Sequence, residues 1–186
     1  GACILLDARL RSASITLHWF MLVLLVVVYC LMEFRDIYPR GSEPREMMKT
    51  WHYMLGLSVC ALVMIRLALR AAFKAPPISP TPPAWQIGLS HALHAALYLL
   101  MIGMPLGGWL ILSAEGSSIP FFGMELPPLV APNEVLAETI EEIHETGSNV
   151  GYALIATHTI AGLVHHYVLR DNALQRISPF PSEKNS

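Results

Sequence analysis

Charge is scarce in this sequence. Only 14% of its 186 residues are Asp, Glu, Lys or Arg, and 54% are hydrophobic, whereas soluble domains carry about 25% charged residues. A deficit of that size, with apolar residues gathered into blocks, excludes an ordinary soluble surface and implies a single membrane domain over residues 1–186. The net charge of −2 offers no basic face for nucleic acid. Cysteine is also sparse. Cys3, Cys30 and Cys60 show no metal-binding spacing, and Cys30 and Cys60 lie inside apolar blocks, where a thiol packs as a small hydrophobe. There is no internal repeat and no low-complexity tract.

What is present is four long apolar stretches, at about 15–34, 47–72, 86–113 and 147–169. Each reaches the roughly 20 residues that cross about 30 Å of hydrocarbon. Helices are expected, because lipid leaves backbone polar groups no partner outside the segment. The first stretch follows Arg9 and Arg11, as a signal peptide would, but ends at Glu33-Phe34-Arg35 without a small-x-small cleavage site, so a retained helix is expected. Pro105 should kink the third span. The connectors are polar Arg35–Glu46, a stiff Ala75–Ala84 linker holding five prolines, and the long Glu115–Thr146. The second half of the last, Asn133–Ile143, reads as a separate short amphipathic helix capped by Asn133.

Basic residues set the orientation. Arg9, Arg11, Arg66, Arg70, Lys74, Arg170, Arg176 and Lys184 fall on the side of the termini. Only Arg35, Arg40, Arg45 and Lys49 fall on the other, whose long connector carries Glu115, Glu125, Glu134, Glu138, Glu141, Glu142 and Glu145 and no basic residue. Both termini are therefore expected in the cytoplasm of a bacterial inner-membrane protein.

Histidine is the informative residue, since it is costly in lipid and marks functional sites there. His144 and His158 stand 14 residues apart in the fourth stretch. On a helix that is close to four turns, so both rings share a face, roughly 21 Å apart. His18 opens the first span and His52 the second. Matched by depth, the pairs are His52 with His144 on the outer side and His18 with His158 on the inner side. Two histidine pairs can supply the axial ligands of two hemes, and bis-histidine ligation leaves no open iron position, which suits electron transfer. The fold class expected is an all-α four-transmembrane-helix bundle enclosing two heme b groups. Both hemes should be non-covalent, because no Cys-x-x-Cys-His run occurs.

Small residues accompany the ligands: Gly56 after His52, Gly147 and Gly151 after His144, and Ala161 and Gly162 after His158. They suit a flat porphyrin against the helix, or equally close helix packing. Arg66, 14 residues after His52, shares its face near the inner pair, where it would meet a heme propionate or snorkel to the interface. His91, His94, His165 and His166 gather at the inner ends of spans three and four. They read as interfacial histidines or as proton-exchange groups for quinone, with Glu141, Glu142 and Glu145 as a rival set on the outer face.

At these residues the chain resembles the bacterial cytochrome b561 family of the superoxide:ubiquinone oxidoreductase type. The resemblance rests on Ser14-Ile15-Thr16-Leu17-His18-Trp19, on Tyr29-Cys30-Leu31-Met32-Glu33-Phe34-Arg35, and on the proline-rich linker. It rests further on His144-Glu145-Thr146 and on His165-His166-Tyr167 through Asp171-Asn172, while Gly1–Ala8 have no counterpart. It implies ligand roles for His18, His52, His144 and His158, ubiquinone as acceptor and superoxide as donor. Membrane lipid is the surrounding partner, and no protein partner is required. Arg35, Arg40, Arg45 and Lys49 would form a local positive entrance for the superoxide anion, against Asp36, Glu43 and Glu46. A competing function is a diheme anchor subunit wiring a soluble dehydrogenase or hydrogenase to the quinone pool. A histidine-lined metal transporter is a third.

Overall fold

The computed structural model describes residues 2–72 and 75–179. Four long helices follow one another: α1 (Ala2–Glu33), α2 (Glu43–Ala72), α3 (Ala84–Glu115) and α4 (Glu134–Tyr167). Each of the 20-to-28-residue apolar stretches of the sequence falls on one of them, with Phe34, Val168 and Leu169 just past the ends of α1 and α4, and each helix starts before the expected limit. Among the described residues three segments are long and apolar enough to cross a membrane, Leu6–Ile37, Glu43–Ala72 and Ala84–Glu115. By the same measure α4 is not, because Asn149, Thr157, His158, Thr159, His165 and His166 dilute its apolar half.

Local chemistry sets the helix ends. Glu43 and Glu46 lie in the first turn of α2, where they oppose the helix dipole, and Pro44 takes an early position that needs no amide hydrogen. The turn before it uses Gly41 at φ +78°, a left-handed conformation that glycine adopts without cost. α3 stops at Gly116, also left-handed, and the Ser117 amide reaches back to the Leu112 carbonyl at 2.9 Å. The expected cap on α4 is present: the Asn133 side-chain oxygen accepts from the Leu136 amide at 3.0 Å. The short separate helix that the sequence suggested is not. Residues 134–167 form one helix of 34 residues running straight through Gly147. One glycine costs a helix only about 1 kcal/mol, too little to stop it when both flanks are strongly helical. Between α3 and α4 a two-stranded hairpin, Pro120–Phe121 with Met124–Glu125, was not foreseen.

The helices pack in sequence order, α1 on α2, α2 on α3, α3 on α4. The core joins Met21, Leu24 and Val28 of α1 to Val59 and Val63 of α2, with Tyr98, Met101 and Ile102 of α3 against them. Outward sides are apolar too: Val23, Val26, Ile65, Leu99 and Ile160 are all more than half exposed. Such a surface is unfavourable in water and natural in lipid. α1 and α4 meet through side chains near one end, where the Tyr29 hydroxyl donates to the Ser148 carbonyl at 3.0 Å and the Tyr152 hydroxyl to Glu33 at 2.8 Å.

The chain closes at the other end. Arg170 takes a left-handed turn, φ +56°, after α4. The returning segment bonds to the linker through Asn172, whose side-chain oxygen accepts from the Ser79 amide at 2.9 Å, and to α1 through the Trp19 indole, which donates to the Ile177 carbonyl at 2.7 Å.

Candidate functional site

The four histidines singled out from the sequence come together in two pairs. The His18 and His158 ring centroids are 6.2 Å apart, and those of His52 and His144 are 6.3 Å apart. Metal–imidazole bonds run about 2.0–2.1 Å and the ring centroid lies about 1 Å behind the nitrogen, so one ion between two imidazoles sets centroids roughly 6 Å apart. Both pairs have that separation. His52 is also pre-oriented. Its Nδ1–H donates to the Val28 carbonyl at 2.9 Å, which fixes the tautomer and leaves the Nε2 lone pair for a metal. The Nδ1 of His144 is buried, within reach of the Met104 backbone, and it lies against the helix face made by Gly107 and Gly108.

The glycines divide between two roles. Beside His52 and His158, a Cβ added at Gly56 or Gly162 would meet nothing, so an open, flat surface adjoins each ligand. Gly147 and Gly151 do not serve a cofactor surface. A Cβ at Gly147 would lie 2.5 Å from the Met104 sulfur, and one at Gly151 would collide with the Tyr29 hydroxyl. Those two glycines let α4 seat against α3 and α1.

Arg66 sits near the His18 pair, within electrostatic reach of His18, His94 and His158. The four remaining histidines do not form one group. His94 turns to His158, with ring centroids 5.4 Å apart, nearer than His18. His91 is exposed. His166 packs its ring edge on Tyr167 at 4.7 Å. His165 donates from Nδ1 to the buried Asp171 carboxylate at 2.5 Å, and the second carboxylate oxygen accepts from the Ala173 amide at 2.9 Å. Sequence reasoning missed both His94 as a neighbour of the inner pair and Asp171 as the partner of His165. The second had a signal, a carboxylate six residues after a histidine across a helix end. No group of three or more metal-binding side chains occurs among the described residues.

The expected positive entrance is mostly neutralised. Arg45 bonds Asp36 at 2.6 Å and the Tyr38 carbonyl at 3.1 Å, Lys49 bonds Glu46 at 3.0 Å, and Arg35 lies 3.7 Å from Asp36. Cations that hold the α1–α2 turn together have little field left for a distant anion. Glu141, Glu142 and Glu145 are exposed on α4.

The family model for prokaryotic cytochrome b561 matches residues 9–179. The chain is 38% identical over 171 residues to cytochrome b561 homolog 1 of Escherichia coli K12, covering 92% of this chain and 97% of that protein. It is 37% identical over 166 residues to a probable superoxide oxidase CybB of Yersinia pestis, covering 89% and 93%. A more distant relative, cytochrome b562 of Cereibacter sphaeroides, is 26% identical over 168 residues, covering 88% and 91%. The chain belongs to the prokaryotic cytochrome b561 family, bacterial membrane proteins with b-type heme that transfer electrons across the bilayer.

Proposed function

We propose that this protein is a diheme superoxide:ubiquinone oxidoreductase, with His52 and His144 holding one heme and His18 and His158 the other. The observation that carries the reading is the recurrence of one ring separation, 6.2 and 6.3 Å, in two pairs at opposite ends of α4. His94, at 5.4 Å from His158, is too close to share an ion with it in that geometry. Bound heme supplies reversible one-electron chemistry without an open ligand position. α4 is the fourth span in this reading. Ile160, Leu163 and Val164 are exposed on its outward side, where they would face lipid. The termini are cytoplasmic, following the basic residues.

The residues divide the work. The histidines hold and orient. Arg66 provides positive charge beside the inner pair, where a propionate needs it. Quinone reduction takes up protons, and an acid–base group near water must deliver them. The His165–Asp171 pair meets that requirement best, because the buried carboxylate fixes the ring and leaves Nε2 directed elsewhere. Superoxide as donor is supported by the Yersinia relative, a probable superoxide oxidase.

Two outcomes test this. Superoxide generated enzymatically should reduce the purified protein, and added ubiquinone should reoxidise it. Because Arg35, Arg45 and Lys49 are paired, the reduction rate should change little with ionic strength. Rapid reduction by quinol with none by superoxide would leave a quinol-linked carrier instead. Asp171→Asn should slow reoxidation by ubiquinone about tenfold, less than the roughly 10²–10⁴-fold of losing the acid–base group itself because the imidazole remains, while the absorption spectrum is unchanged. If the rate is unchanged, proton delivery lies elsewhere, and Glu141, Glu142 and Glu145 are the next set to substitute.

A further inference from the structure

Three arginines from three elements converge at the terminus end of the bundle. Seven residues make close to two helical turns, so a residue seven from a ligand shares its face, about 10 Å along the axis. Arg11 stands seven before His18 on α1, and His165 seven after His158 on α4. Arg70 stands eighteen after His52 on α2, which is five full turns, and lies one turn beyond Arg66. The faces that carry the inner pair therefore lead, toward the termini, to Arg11 and His165. Arg176 comes from outside the long helices, on the 3-10 turn Gln175–Ile177. The segment that carries it is tied down on three sides. The Trp19 indole donates to the Ile177 carbonyl at 2.7 Å, Asn172 accepts from the Ser79 amide, and Asp171 holds His165. Trp19 is itself packed on the inner pair, its ring 5.5 Å from that of His18.

These cations lack carboxylates. Among the described residues none of Arg11, Arg66, Arg70 and Arg176 forms an ion pair. Arg176 is half-buried, and its Nε is shielded from solvent without a hydrogen-bond partner. Arg35 also has a buried Nε, but Asp36 stands 3.7 Å from it. Around Arg176 the neighbours are of like sign. Burial first, and then the charges of Arg70 and Arg11, hold its guanidinium below the usual arginine range, against the pull of Asp171. Asp171 is already committed to His165 and to the Ala173 amide. An arginine that merely snorkels carries its guanidinium out to water. A buried, partnerless guanidinium nitrogen beside two further cations is costly and calls for an anion. A b-type heme carries two carboxylates on one edge of its ring.

We propose that Arg70 and Arg176, with Arg11 beside them, clamp the propionates of the inner heme, which makes the C-terminal segment part of that heme's binding site and rests on the diheme reading. Redox titration of the full-length protein, followed by its absorption spectrum, reads the clamp, with the inner transition assigned by its absence from His18→Ala. Reduction adds negative charge to the heme, so a nearby cation favours the ferrous form, and one unit charge lost at about 12 Å in an effective dielectric near 20 shifts an equilibrium about tenfold. Arg176→Gln should therefore move the inner heme about tenfold toward the ferric form, a fall of about 59 mV for one electron, and leave the outer heme as it is. Arg70→Gln, which does not disturb the C-terminal segment, should act in the same sense. Both should move the propionate bending band in resonance Raman spectra, which responds to hydrogen bonding at the carboxylate. Arg176→Lys should recover most of the potential. Arg9→Gln, an exposed charge at the same end but about 200° around α1 from Arg11, should change neither readout. Loss of the inner heme alone from Arg176→Gln would also support the clamp. A fall in potential with an unmoved propionate band would make Arg176 a distant charge and overturn it, as would no change in either readout while two hemes remain. About one heme per chain in the unmodified protein would remove the diheme reading, and the clamp with it.

Discussion

Alanine at His52 or His144 is expected to strip one heme and leave the other, and alanine at His18 or His158 to do the reverse. Each variant should keep about half of the heme-derived absorbance per chain, since each site depends on two axial bonds. The surviving redox transition should be the same for the two members of a pair and different between pairs. Acid-acetone should extract all the heme, because no cysteine motif tethers it. His94→Ala is the sharpest control. Its ring lies 5.4 Å from that of His158, on the third helix, and it is the side chain best placed to be mistaken for the ligand. It should retain both hemes. Loss of heme from His94→Ala but not from His18→Ala would reassign the inner site to α3 and α4. Added imidazole should refill the cavity left by His52→Ala, because the Val28 carbonyl that orients the native ring remains.

Much of this arrangement was legible in the sequence, because two periodicities carry it. Apolar runs of bilayer length announce the helices, and 14-residue spacing on a 3.6-residue period puts His144 and His158 on one face. Depth then pairs them with His52 and His18, and the structure brings those same rings together. What was hidden depends on contacts between helices. Gly147 and Gly151 have the spacing of a cofactor surface, and only the neighbours Met104 and Tyr29 reveal them as seats for packing. His94 belongs beside His158 because α3 lies against α4, which no single-helix pattern states. The continuity of α4 through Gly147 also escaped, since a glycine next to Ser148 and Asn149 resembles a helix end until Met104 fills the space beside it. The pairing inside the positive entrance was hidden for a related reason: the sequence shows Arg45 and Asp36 nine residues apart, and only the α1–α2 turn folds them to 2.6 Å.

Gly151 should be the most sensitive packing position in the protein. It stands seven residues from His144 and seven from His158, on the face that carries both. It is buried, and a Cβ there would strike the Tyr29 hydroxyl and come within 3.0 Å of Leu100. Tyr29 has little freedom to yield. Its hydroxyl donates to the Ser148 carbonyl at 3.0 Å, and its ring packs on Tyr152 with centroids 4.4 Å apart. Gly151→Ala therefore has to push α4 away from α1 or break that hydrogen bond. Overpacking costs about 1–3 kcal/mol and the lost bond about 0.5–1.5 kcal/mol. The gain in helix propensity returns only about 0.5–1 kcal/mol, so the net effect is destabilising. Because α4 supplies one histidine to each pair, the shift should loosen both sites together, and Gly151→Leu should lose both hemes rather than one. Thermal melting followed through the heme absorbance would show it, with Gly56→Ala and Gly162→Ala as controls whose added methyl meets open space. Adding Tyr29→Phe to Gly151→Ala removes the colliding oxygen and should recover much of the lost melting temperature. If Gly151→Ala melts where the unmodified protein does, or if Tyr29→Phe recovers nothing, the seat at Gly151 is not what sets the position of α4.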